Sequence, residues 1–287
     1  MKSVSVQSVI LASGLLIGAV TLVRADTVQV TPSNMGNWSF AFNAGGPDYL
    51  PCTNCQIGSM VTGPGTPPLG VGSANLQTTP GNGDGASSIA LSGLDGTPLS
   101  ALTALSYSTY DTVNNGQQFP YLQLFISYAN DADNDGPGTD TLFFEPPYQT
   151  ASTGNPSLPD QGDTEMNEWQ TWNALEGGWW DNNGIAGAGT GVLSLASILS
   201  FYTDPVIDDS GAPYFPTSDL ALSVGFGSPG DSYNGYVDNM TIGIDGVNTT
   251  YDFDPNNSVP EPSAIVLLGT VCLGLCGLLR RKLARSV

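Results

Sequence analysis

The chain has 287 residues with 26 Asp and Glu, six Lys and Arg and no His, for a formal net charge of −20. All six basic residues lie in the end segments (Lys2, Arg24, Arg280, Arg281, Lys282 and Arg285), so the region from 26 to 279 holds only acidic charge. That excludes phosphate neutralisation for nucleic-acid binding, Ser-His-Asp and Ser-Lys nucleophiles, Schiff-base lysines, P-loops and His-based zinc sites, leaving carboxylate catalysis and oxygen-ligand metal chemistry.

Met1-Lys2 followed by an apolar run from Val9 to Val23 has the form of a secretory signal peptide. Val23 and Ala25 stand at −3 and −1 of a small-residue cleavage site, so residues 1–25 are expected to be removed on export. Residues 26–258 then form an acidic ectodomain, long enough for one large β-sandwich or two small domains. Gly (36) and Pro (21) are frequent, and short alternating apolar runs recur between them, which is an all-β pattern.

Thr27 to Val30 and Trp38 to Phe42 read as strands, and residues 43–85 read as loops rich in Gly, Pro, Asn and Thr. Cys52-Thr-Asn-Cys55 lies in that stretch, and in an exported protein it reads as a short-loop disulfide between Cys52 and Cys55. Leu99 to Tyr110 alternates, Tyr121 to Tyr128 puts Leu122, Leu124, Ile126 and Tyr128 on one face, and Thr141 to Glu145 continues the pattern.

Between the last two runs, Asp131, Asp133 and Asp135 stand at alternate positions before Gly136. Such a loop wraps oxygen ligands around Ca²⁺, although position 12 is Leu142 rather than the Glu of an EF-hand. A plain polar hairpin loop fits the same residues.

Trp169 to Leu175 and Trp179-Trp180 read as strands. Trp169, Trp172, Trp179 and Trp180 lie near Glu165, Glu168 and Glu176. Exposed, these rings would stack on sugars while carboxylates bond hydroxyls, and a carboxylate pair could hydrolyse a glycoside. Four Trp in a short stretch also suit the core of a sandwich, which is the more common use of large aromatics.

Leu193 to Tyr202 is the expected single short helix, capped by Ser194 with Pro205 beyond it. Asp209-Ser210-Gly211 has no second Asp-Ser/Thr-Gly to share a proton, so it reads as a turn rather than half of an aspartic-protease site. Leu220 to Phe226, Tyr236 to Ile244 and Thr249 to Phe253 are the last strands, and the spacings favour a jelly-roll-like β-sandwich over a parallel α/β fold.

Two resemblances to known families add to this. Gly235-Tyr-Val-Asp-Asn-Met-Thr-Ile-Gly243 with Thr249-Thr-Tyr-Asp-Phe253 resembles the closing strands of secreted β-sandwiches, some of which are carbohydrate-binding modules. At the C-terminal end, Val259-Pro260-Glu261-Pro262 precedes an apolar run from Ala264 to Leu279 and the basic cluster Arg280-Arg281-Lys282. This order resembles the PEP-CTERM sorting signal, which a sorting enzyme of the exosortase type reads in bacteria that make an exopolysaccharide matrix.

The apolar run is at the short limit of the roughly 17–25 residues that span a bilayer. The basic cluster would stay cytoplasmic, leaving the ectodomain outside and held by one C-terminal transmembrane helix. The expected protein is thus an exported surface or matrix component that binds matrix polysaccharide, with Ca²⁺ as its one candidate ion. A matrix glycoside hydrolase or lyase, and a purely structural envelope protein, are the alternatives.

Overall fold

The computed structural model describes residues 26–43, 58–78, 86–116, 118–131, 136–209, 218–225 and 232–256. Among the described residues, fifteen strands form two sheets packed face to face. In chain order they are β1 (Asp26–Val30), β2 (Trp38–Asn43), β3 (Ser59–Thr62), β4 (Gly72–Thr78), β5 (Ala86–Leu91), β6 (Leu102–Val113), β7 (Tyr121–Tyr128), β8 (Gly138–Phe144), β9 (Gln170–Asn173), β10 (Gly178–Asp181), β11 (Leu193–Ser194), β12 (Val206–Ile207), β13 (Leu220–Gly225), β14 (Tyr233–Ile244) and β15 (Val247–Phe253).

One sheet holds seven strands in the order β1-β15-β14-β4-β3, with β6 on β14 and β9 on β6. The other holds eight in the order β11-β10-β8-β7-β13-β5-β2, with β12 on β7. The sandwich matches the all-β reading, and β3, β4 and β5 are strands that the Gly/Pro-rich composition of residues 43–85 and its flank concealed.

Alternation sets the core. In β7, Leu122, Leu124 and Ile126 point inward, and in β13 so do Leu220, Leu222 and Val224. They meet Leu105 and Tyr107 of β6, Leu76 of β4, Val237, Met240 and Ile242 of β14, and Phe253 of β15. Full burial of each such aliphatic side chain contributes roughly 1.5–3 kcal/mol.

The helix α1 is shorter than expected, Leu195–Leu199, and Ser194 caps it by accepting a hydrogen bond from the Ser197 N–H at 3.1 Å. Leu195 and Ile198 are its buried face. Among the described residues no helix is long and apolar enough to cross a membrane, and the expected signal peptide and sorting tail lie outside those residues.

β14 organises the seven-stranded sheet. β6 pairs along nearly its whole length. On the other edge β4 pairs with Tyr233 to Val237, and β15 pairs with Met240 to Ile244. Asp238 and Asn239 sit at the change of partner, where the register shifts and Asn239 takes a left-handed φ of 54°. A bulge of this kind aims side chains in a direction a regular strand would not allow.

Candidate functional site

The outer face of the seven-stranded sheet carries the exposed chemistry. Leu105, Tyr107, Thr109 and Asp111 of β6 turn inward and are buried, so Ala104, Ser106, Ser108 and Tyr110 turn outward. Tyr110 pairs in register with Tyr236 of β14, and their rings meet edge-on at 6.1 Å. Trp169, just before β9, packs on Tyr110 at 5.5 Å, and its Nε1 donates to the Pro64 carbonyl at 2.9 Å. All three rings are half-buried, each leaving part of its surface open to solvent.

The aromatic row continues into a polar groove. Thr171 and Asn173 are exposed, and they pair with Ser108 and Ser106. The Ser108 and Thr171 hydroxyls share a hydrogen bond at 2.8 Å, and the Asn239 amide donates to Ser108 at 3.3 Å. Gln161 braces Asn173 twice, accepting from its N–H at 2.7 Å and donating to its carbonyl at 3.0 Å. Ser106, Thr171, Asn173, Gln161 and Glu176 line an open groove of about 470 Å³. On the far side of Tyr236, Asn75 donates to the Asn234 side-chain oxygen at 2.7 Å, and Asn234 donates to Thr112 at 2.8 Å. Aromatic faces beside hydroxyls and amides that both donate and accept suit a polyhydroxylated ligand.

The structure divides the four clustered tryptophans. Trp172 and Trp179 are fully buried, so neither can present a ring to a ligand, which corrects their selection as glycan-binding residues. Trp172 donates to the Thr109 hydroxyl at 2.8 Å, and Trp179 donates to the Ala174 carbonyl at 2.7 Å. Trp169 belongs to the half-buried outer row. Glu165, Glu168 and Glu176 are exposed, with Glu176 at the end of the groove.

Trp180 lies on the outer face of the other sheet. It stacks on its cross-strand partner Phe143 at 4.0 Å with planes 11° apart. The row continues through Gln123, Ala221 and Ala90, in register across β7, β13 and β5. Gln123 donates to Ser223 at 2.8 Å, and Ser223 shares a hydrogen bond with Ser88 at 2.6 Å. Phe143, Gln123, Ala221, Ala90, Ser223 and Ser88 are all buried, so this face offers far less open surface than the first. Burial also pushes the carboxyl of Glu145, at the end of β8, up to about 7.

The remaining sequence-predicted sites are dispersed. Asp131 is half-buried at the end of the β7 hairpin arm, while Asp133 and Asp135 lie outside the described residues, as do Cys52 and Cys55 and the sorting motif Val259, Pro260, Glu261, Pro262, Arg280 and Arg281. The loop does join two antiparallel neighbours, because Tyr128 pairs with Gly138. Asp95, Asp208 and Asp209 bring carboxylate oxygens within 4.8 Å of one another at a partly exposed site, and Asp208 accepts from the Ser127 hydroxyl at 2.6 Å. Sequence reading missed this trio, because Asp95 lies far along the chain from the adjacent pair Asp208 and Asp209.

Buried carboxylates were also missed, and with no cation available they are held by neutral donors. Asp140 accepts from the N–H groups of Thr141 and Asn182 and from the Tyr202 hydroxyl at 2.6 Å. Burial nonetheless pushes its carboxyl up to about 6. Asp181 takes the Ile185 and Ala186 amides, and Asp219 takes the Leu94 amide. Asp111 takes the Asn114 side-chain amide, and burial lifts it to about 6 as well.

No family model matches the chain, and no curated protein matches it. Among solved structures it is similar to the family 11 carbohydrate-binding module of the cellulosomal cellulase Lic26A-Cel5E of Clostridium thermocellum, at 14% identity and a TM-score of 0.35, covering 72% of this chain and 88% of that one. It is also similar to a structure described as the basis for the promiscuous specificity of carbohydrate-binding modules from the β-sandwich superfamily, at 10% identity and a TM-score of 0.29, covering 72% of this chain and 56% of that one. Neither likeness assigns a ligand to this chain.

Proposed function

We propose that the protein is an exported surface or matrix component whose sandwich binds a neutral polysaccharide without turning it over. The observation that carries this reading is the half-buried outer row Trp169–Tyr110–Tyr236 running into the groove of Ser106, Thr171, Asn173 and Gln161. Rings stack on the apolar faces of sugars, and the hydroxyls and amides exchange hydrogen bonds with their edges. A stretch with acidic charge alone repels anionic glycans, which leaves neutral or basic ones. The signal peptide and the Pro-Glu-Pro tail supply the route to the surface in this reading, with an exosortase-type enzyme as partner.

The test is affinity electrophoresis of the full chain against a panel of neutral glycans, with a reducing-sugar assay run alongside. Trp169→Ala weakens retardation by about tenfold or more, as loss of a central aromatic anchor does. Retardation unchanged in that variant refutes the assignment of the face, and release of reducing ends replaces the binding reading with hydrolysis.

A further inference from the structure

Two carboxylates stand where β15 ends, Asp252 within the strand and Asp254 one residue beyond it. Asp252 is 8% exposed and Asp254 is fully buried. Asp254 accepts from the N–H groups of Val71 and Asn256, at 3.1 and 2.9 Å. Behind them, at the partner switch of β14, Asp238 accepts from the N–H groups of Leu69 and Phe253, at 3.0 and 3.1 Å. Asp252 differs from both, because its Oδ1 is buried with no hydrogen-bond partner. An orphaned carboxylate oxygen beside two further carboxylates is a costly arrangement, since burial without compensation disfavours the charge.

The space in front of Asp252 is shaped as well as charged. Gly70 turns over it in a left-handed conformation with φ of 55°. A Cβ at position 70 would lie 2.5 Å from Asp254 Oδ2 and 2.8 and 3.1 Å from the two Asp252 oxygens. Three carboxylate oxygens thus face the Gly70 backbone so closely that any side chain at position 70 would clash with them.

We propose that Asp252 and Asp254, roofed by the Gly70 turn and backed by Asp238, bind one divalent cation of the Ca²⁺ type. The donors are hard oxygens, which Ca²⁺ takes in flexible sets of six to eight, with carboxylates bound through one or both oxygens and water completing the shell. The ion neutralises the carboxylates, gives Asp252 Oδ1 its missing partner and ties the 69–71 turn to the end of β15. This site is separate from the Asp131–Asp135 loop and independent of the glycan-binding reading.

The test is calorimetry and thermal melting of the full chain in mild detergent, titrated with CaCl₂ after EDTA treatment and compared with NaCl of equal ionic strength. The wild type binds Ca²⁺ and melts higher in CaCl₂ than in the matched NaCl. Asp252→Asn lowers Ca²⁺ affinity by roughly tenfold or more, because a ligand charge is lost. It also leaves the melting temperature in EDTA unchanged or raised, because the carboxylate it removes has no partner to lose. The triple variant Asp131→Asn, Asp133→Asn, Asp135→Asn keeps the Asp252-dependent part. Equal Ca²⁺ affinity in Asp252→Asn and wild type, or no Ca²⁺ binding at all, overturns the proposal.

Discussion

Acidifying the buffer from pH 8 to pH 5 is expected to stabilise this protein. Burial is the leading cause of the raised carboxyls of Asp140 and Asp111, each lifted to about 6, and of Glu145, lifted to about 7. Their ordinary values are 3.8 for Asp and 4.5 for Glu. A folded state with the higher value binds more protons than the unfolded chain between the two values, so stability grows as pH falls through that window. The contribution is complete below about pH 4 and is lost as pH rises through 6 to 7. Treated as independent groups, Asp140 and Asp111 each add about 1.4 kcal/mol on going from pH 8 to 5, and Glu145 adds about 2.5 kcal/mol. The Asp181 charge beside Asp140 ties that group to a further carboxylate, so a total of a few kcal/mol is the expected reading. The assay is urea unfolding in EDTA at constant ionic strength. Urea is preferred because guanidinium would screen a chain this acidic. Asp140→Asn, which removes one of the titrating groups, shows a shallower rise. Stability that is flat or falling from pH 8 to 5 refutes the reasoning.

Truncating Trp172 to Ala costs about 3–5 kcal/mol in the same assay, since the ring is fully buried and its N–H loses the Thr109 partner. Trp169→Ala changes stability far less than it changes glycan retardation, and equal effects of the two substitutions on unfolding would remove the distinction between core and surface rings. Ending the chain before Val259 releases the protein into the medium in fractionation of the expressing cells. Retention equal to that of the intact chain removes the tail as anchor.

Much of the sandwich was legible because period-two alternation marks a half-buried strand. Tyr121 to Tyr128 coincides with β7, and Ser194 caps the helix as read. β3 was not legible because it is only four residues long amid Gly and Pro, and β4 because its small and polar residues, such as Gly72-Ser-Ala-Asn75, gain strand structure from pairing rather than propensity. For the site, parity was the unused signal. Trp169, Thr171 and Asn173 alternate with Trp172 and Ala174, so one tryptophan had to face away from the other. Grouping the four by proximity in sequence hid this. The Asp252–Asp254 spacing was equally visible, but its meaning depends on Gly70 and Asp238, which only the fold brings near.

The first and last strands have a mechanical consequence. β1 runs parallel to β15, with Asp26 beside Thr249 and Val30 beside Phe253, while β14 holds the other edge. Tension on the chain beyond Asn256 therefore pulls along β15, and both neighbouring ladders resist together in shear instead of opening one bond at a time. The carboxylates at its end and the turn over Gly70 lie where that load enters, so an ion held there would act as a clasp between the strand end and the turn.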